Sequence, residues 1–231
     1  VIHWGGLSGN SALHDANVAW LSPNAYHGRN PTFMTLGSNT TSGREDTQGL
    51  WDAALDQAGN CGIDYIAYNL VPDEQGFFGF NIPNSDPYAT WIGSNNALTL
   101  HLSSTRKTKT KICLNLICNF GTGVPVNGDS SGWPNVVSYI VGVFQDPAYM
   151  FVTVSGVRRP LLYFYDPDGF VTSPWGSSTA NAATAVAALR TATTSAGLNT
   201  PYIVGLSSFS TIAALGLDAA GDYVVSPTST N

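Results

Sequence analysis

Charge is scarce in this 231-residue chain: Asp, Glu, Lys and Arg together make up only 10% of it, against about 25% in an average soluble domain. Nine Lys and Arg face fifteen Asp and Glu, a formal net charge of −6. That balance excludes the basic face with which a nucleic-acid binder neutralises phosphates. Ser, Thr, Asn and Gly carry the polarity instead, which predicts an extracellular or particle-borne setting. Cysteine is nearly absent, with three residues in all, so one thiol is left over whatever pairs. Cys113 and Cys118 differ by an odd number and would face opposite sides of one strand, out of bridging geometry. Cys61 closes a helix-to-strand turn. No CxxC or Cys/His spacing suggests zinc, and all three cysteines read as buried small hydrophobes. His3, His14, His27 and His101 show no metal spacing, so neither metal nor cofactor is expected. No run of 18 apolar residues occurs, so no helix is expected to cross a membrane. No glycine-rich phosphate fingerprint links a strand to a helix, and Ser207-Ser208 lacks the elbow of a serine hydrolase. Neither an initiator Met nor a signal peptide opens the chain, and its two ends predict a longer parent polypeptide.

What is present is apolar residue, 43% of the chain, in a recurring beat. The most telling stretch runs from Val152 to Asp166. A Gly-centred turn leads through Arg159 and Pro160 into Leu161-Leu162-Tyr163-Phe164-Tyr165, which ends in Asp166 and the turn signal Pro167-Asp168-Gly169. Apolarity on both faces marks a strand covered on both sides, as in a parallel sheet flanked by helices. In such sheets the chemistry gathers at the carboxyl ends of the strands, where Tyr165 and Asp166 fall.

The same alternation extends along the chain. Helices are predicted over Glu45–Ala58, Trp91–Ser104, Pro134–Gln145, Thr179–Ala196 and Thr211–Leu215. Strands are predicted over Ile63–Leu70, Lys111–Asn119, Leu161–Asp166, Tyr202–Leu206 and Asp222–Val225, with a further one near Val1 or Phe33. Strands alternating with helices of this length predict right-handed βα units and a parallel sheet. The expected fold is α/β, a (β/α)8-type barrel incomplete or atypical at its C-terminal end, since a closed barrel needs eight strands and typically ~250 residues. Residues 1–231 are expected to form one module.

Candidate chemistry follows from the strand ends. Asp166 is the leading carboxylate, although its side chain could instead cap the Pro167 turn. Asp73 and Glu74, after the Ile63 strand, are the next acids, in a segment that also reads as an exposed turn. Asn69 and Asn119 end neighbouring strands and could meet sugar hydroxyls as donor and acceptor together, or simply be satisfied strand-end amides. Tyr68 and Tyr165, with Trp4, Phe77, Phe78, Trp133 and Trp175, supply aromatic faces on which sugar rings stack, or else form loop cores. Asp218 and Asp222 read as structural. The one cationic cluster, Arg106 to Lys111, reads as a solvated helix end.

The order of several phrases carries a resemblance. Ala58-Gly59-Asn60-Cys61-Gly62-Ile63-Asp64-Tyr65-Ile66-Ala67-Tyr68 is followed by Leu100-His101-Leu102-Ser103-Ser104-Thr105, then by Asp146-Pro147-Ala148-Tyr149 with Arg159-Pro160-Leu161-Leu162-Tyr163. Ala196-Gly197-Leu198, Tyr202-Ile203-Val204-Gly205 and Leu215-Gly216-Leu217-Asp218-Ala219 complete the series. Over roughly Pro31 to Ser226 the chain resembles the glycoside hydrolase family 99-like, or WbsX-like, barrel domains. The resemblance implies a barrel associated with complex carbohydrate, and for the hydrolases of the group a pair of catalytic carboxylates. The departure is at the strand that ends Leu116-Ile117-Cys118-Asn119, where those enzymes carry a glutamate and this chain carries no acid. The expected function is therefore a carbohydrate-active module that acts on or binds a polysaccharide. The alternative is a non-catalytic glycan-binding or structural subunit of a virion, tail or surface assembly. Glycan, or further copies of the chain, would be the partner; nucleic acid and membrane insertion are not expected.

Overall fold

The computed structural model describes residues 2–3, 19, 22–25, 35–42, 47–70, 97–117, 132–172, 175–206 and 208–221. The chain divides into two compact units: Val1–Tyr68 with Gly79–Ile112, and Asn69–Phe78 with Cys113–Asn231. Two strands, Tyr65–Leu70 and Lys111–Ile117, run through both.

In the first unit, β1 (Ile2–His3) pairs in parallel with β4 (Tyr65–Leu70), setting Ile2 opposite Ala67. β5 (Lys111–Ile117) starts alongside, its Lys111 amide donating to the Asp64 carbonyl at 2.7 Å. A separate antiparallel hairpin joins β2 (Thr35–Gly37) to β3 (Thr40–Ser42). Helix α1 (Gln48–Asn60) starts at Thr47, whose hydroxyl accepts from the Leu50 amide at 3.4 Å, and buries Trp51 and Leu55. The side-chain cap answers one of the amides that a helix start leaves without a partner. Gly62, at φ +76°, then turns the chain into β4 in a conformation costly for any residue with a Cβ. Helix α2 (Ala97–Ser103) packs on α1.

The second unit is a parallel sheet with helices. β5 pairs with β7 (Val157–Tyr165), β7 with β8 (Tyr202–Leu206) and β8 with the short β9 (Ala219–Ala220), all in parallel. Helices α3 (Trp133–Phe144), α4 (Pro167–Thr172), α5 (Thr179–Ser195) and α6 (Phe209–Ala214) alternate with them. The protein is an α/β protein with a parallel sheet, as the alternation predicts. One pairing departs from it: β6 (Phe151–Val154) runs antiparallel to β7. The connection is Ser155-Gly156, with φ of +50° and +79°. Two consecutive left-handed residues match the twist of a tight hairpin. Arg158 lies over the Phe151 ring at 3.7 Å and holds the hairpin together.

Registry sorts the sheet into two faces. Leu114, Leu116, Leu162, Phe164 and Ile203 share one face and are fully buried. Phe164 meets Phe170 of α4 at 5.3 Å between centroids, and Gly205 comes so close to α6 that an added Cβ would lie 2.7 Å from Ile212. Helices cover this face. On the other face Asn115, Tyr163 and Val204 stand in one row and Ile117, Tyr165 and Leu206 in the next. Tyr163, Tyr165, Val204 and Leu206 are only half-buried there, whereas Asn115 and Ile117 of β5 are fully buried, so on this face β7 and β8 are less covered than β5. Ile66, Leu162 and Phe164 are buried as their apolarity predicts, whereas Val204 is not.

Three further details correct the sequence reading. The first long strand begins at Tyr65, because Ile63 and Asp64 still belong to the turn out of α1. Cys61 is exposed rather than buried, while Cys113 is buried on β5; Cys118 lies outside the described residues. Among the described residues the last strand is Ala219–Ala220; the predicted Asp222–Val225 lies outside them.

Candidate functional site

The carboxyl ends of β5, β7 and β8 are the part of the second unit where the sequence places its chemistry. Tyr165 is the last residue of β7 and half-buried, on the face away from the helices. Asp166 follows it at φ +54°. The left-handed region is uncommon for a residue with a Cβ, although Asp tolerates it better than most. The backbone reversal is fixed by two bonds into the next helix. The Gly169 amide donates to Asp166 Oδ1 at 3.0 Å, and the Phe170 amide to the Asp166 carbonyl at 3.2 Å. Asp166 thus caps α4 with one carboxylate oxygen. Its other oxygen has no hydrogen-bond partner among the described residues.

Asp168, two residues on, is engaged differently, since its Oδ1 accepts from the Thr211 hydroxyl of α6. Together with Thr172, Thr179 and Ser210 these two residues border an open depression of about 280 Å³. Its polar groups are hydroxyls and a single carboxylate, a set that can donate to and accept from polyols but carries little charge.

The sequence-selected amides are placed as follows. Asn69, near the end of β4, accepts at Oδ1 from Asn115 Nδ2 of β5 at 2.7 Å. Asn115 is fully buried, and its own Oδ1 and the Nδ2 of Asn69 are buried without a partner among the described residues. Sequence reasoning paired Asn69 with Asn119, which lies outside the described residues together with Asp73 and Glu74. Asn115 was legible in principle. It is the one polar residue in Ile112–Ile117, and its parity sets it on the face opposite Leu114.

Tyr68 belongs to the first unit and is 3% exposed. Its hydroxyl lies 2.6 Å from His101 Nδ1, and His101 Nε2 lies 2.9 Å from the Thr110 carbonyl. Because a carbonyl can only accept, Nε2 carries the proton and Nδ1 accepts from the Tyr68 hydroxyl. Trp51 lies near both rings, stacked on His101 at 6.5 Å between centroids. Trp133, read from sequence as a loop aromatic, is a buried start to α3, and its indole N–H donates to the Ala185 carbonyl at 3.0 Å.

Other reactive groups are quiet. Burial pushes the Cys113 thiol far above its ordinary range, so it stays protonated and non-nucleophilic. No cluster of metal-binding side chains occurs among the described residues, and no helix among them is long and apolar enough to cross a membrane.

Comparison with known proteins finds no matching family model and no matching curated protein. Among solved structures, the chain is similar to a GH99 endo-alpha-mannosidase from Bacteroides thetaiotaomicron, with 17% identity and a TM-score of 0.46. The likeness covers 82% of this chain and 47% of that one, so this chain spans less than half of that enzyme's length.

Proposed function

We propose that this chain is a carbohydrate-active module of the glycoside hydrolase-like barrel type, which engages a polysaccharide at the carboxyl ends of β5, β7 and β8. Asp166 is the observation that carries the reading. A side-chain-bearing residue in the left-handed region at a strand's carboxyl end is a feature that concentrates at functional sites. It holds one carboxylate oxygen in a cap and leaves the other without a partner among the described residues. Tyr165 beside it adds an apolar ring that suits a sugar, and the depression that Asp168 borders among the helices offers hydroxyl groups. Asp166 is the proposed acid, with Tyr165, Asn69, Asn119, Asp73 and Glu74 as proposed contacts; Tyr68 is buried in the first unit against His101 and is not among them. The low charge of the chain supports an extracellular or surface-associated setting.

Glycoside hydrolysis needs two carboxyls, roughly 5–5.5 Å apart for retention or 6.5–9.5 Å for inversion. Asp168 is engaged by Thr211, so a second acid would have to come from elsewhere, with Asp73 and Glu74 the proposed sources. Binding is accordingly the part of the reading that this chain should display by itself. Incubation with a panel of soluble polysaccharides should retard the protein in affinity electrophoresis while reducing-end release stays at background. Clear reducing-end release, abolished by Asp166→Asn, would replace the binding reading with a hydrolytic one.

A further inference from the structure

Asn69 and Asn115 form a pair whose hydrogen-bonding arithmetic does not close. Each amide offers a two-hydrogen donor and an acceptor. The single bond from Asn115 Nδ2 to Asn69 Oδ1, at 2.7 Å, leaves the Nδ2 of Asn69 and the Oδ1 of Asn115 buried and without partners among the described residues. Reversing the assigned orientation of both amides does not help. The bond would then run from Asn69 to Asn115, and one donor and one acceptor would still be left over. Interiors rarely tolerate two such atoms on one bonded pair of side chains, so their deficit points to a further group. The identity of that group is constrained by the deficit. A carboxylate or carbonyl could only accept, and an ammonium could only donate. A hydroxylic oxygen does both from one atom.

We infer that the Asn69–Asn115 pair is a seat for a single hydroxylic oxygen, the chemistry shared by an ordered water and a sugar hydroxyl. Its location favours a role beyond internal packing. Asn115 is in register with Tyr163, one row below Ile117 and Tyr165 and hence close to the edge that ends in Asp166. It stands on the sheet face whose Tyr163, Tyr165, Val204 and Leu206 are half-buried. The sugar as occupant rests on the proposed function, whereas the seat itself does not.

The test is nuclear magnetic resonance on the uniformly ¹⁵N-labelled full chain, following the two side-chain amide groups assigned through their own β protons. Without sugar, both amides should show a cross-peak to a long-lived water. Titration with methyl α-mannoside or methyl α-glucoside should shift both signals and remove that cross-peak. Asn115→Leu should weaken sugar binding by about tenfold, the size expected for one hydrogen bond to a reading group, and Asn69→Leu provides a second variant should that one fold poorly. A water cross-peak that persists at saturating sugar supports the seat and overturns the sugar as its occupant. Sugar binding that leaves both amides unmoved overturns the sugar occupant while the proposed function stands. Absence of both the water cross-peak and any shift overturns the seat.

Discussion

Asp218 shows how one residue can hold several elements in place. Its carboxylate takes Arg159 at 2.7 Å and Arg190 at 2.8 Å, and accepts from the Ile203 amide at 2.9 Å. One side chain therefore ties β7, α5 and β8 together at the amino end of β8. Burial alone would raise its carboxyl, but the Ile203 amide and the two guanidinium groups outweigh it and hold the group below its ordinary value of 3.8. A folded value below the unfolded one means that the stabilisation is complete above about pH 4 and is lost as pH falls through the folded value. Asp218→Asn should lower stability at pH 7 by roughly 2 kcal/mol, since two guanidinium groups lose their counter-charge. Urea unfolding at pH 7 and at pH 3 should show the gap between wild type and variant narrowing in acid. Asp166 behaves differently at this scale. Asp166→Gly removes the cap but suits φ +54°, whereas Asp166→Ala loses the cap and adds strain. Alanine should therefore be the less stable of the two by about 1 kcal/mol in thermal unfolding.

At the scale of elements, β8 and α6 approach closely at Gly205. A Cβ on Gly205 would sit 2.7 Å from Ile212 Cγ1 and 2.9 Å from Leu217 Cδ1. Gly205→Ala should destabilise by about 1–3 kcal/mol through overpacking, and pairing it with Ile212→Ala should recover part of the loss in a double-mutant cycle. Helices and parallel strands of this kind were legible in the sequence because their signals are local. Gly197 falls just past the end of the Thr179–Ala196 pattern and Leu161–Tyr165 is apolar at every position, whereas the cap at Thr47 starts α1 at Gln48, later than the predicted Glu45. The Gly-centred turn before Arg159 was visible in the sequence, but the strand Phe151–Val154 that pairs back across it was not, since the turn is Ser-Gly rather than the usual Asn-Gly. Pairings between distant residues left no local signal at all. The Tyr68–His101 contact and the Asn69–Asn115 bond span 33 and 46 positions; the first joins β4 to α2 and the second joins the neighbouring strands β4 and β5. Asp166 was legible as a strand-end acid, but its left-handed backbone was not, because nothing in Tyr165-Asp166-Pro167 demands it.

At the scale of the molecule, the second unit is asymmetric: one sheet face is sealed by helices and the other carries half-buried tyrosines. Deleting the ring of Phe164, fully buried on the sealed face, should cost on the order of 3–5 kcal/mol, the usual penalty for a core aromatic. Deleting the ring of the half-buried Tyr163 on the other face, by Tyr163→Ala, should cost less than the same deletion at Phe164, as expected where packing is partial. Equal losses from the two substitutions, measured by chemical denaturation, would mean that the two faces are equally enclosed. The asymmetry bears on the proposed function, because a sugar needs an accessible apolar surface next to polar groups that are already oriented. Isothermal titration of the chain and of Asp166→Asn with the polysaccharide that retards it most in affinity electrophoresis tests this directly. The account predicts measurable heat of binding for the wild type and a loss of affinity of at least tenfold in the variant, with unfolding midpoints that remain close. Unchanged affinity in Asp166→Asn, or no heat with any polysaccharide of the panel, would contradict it.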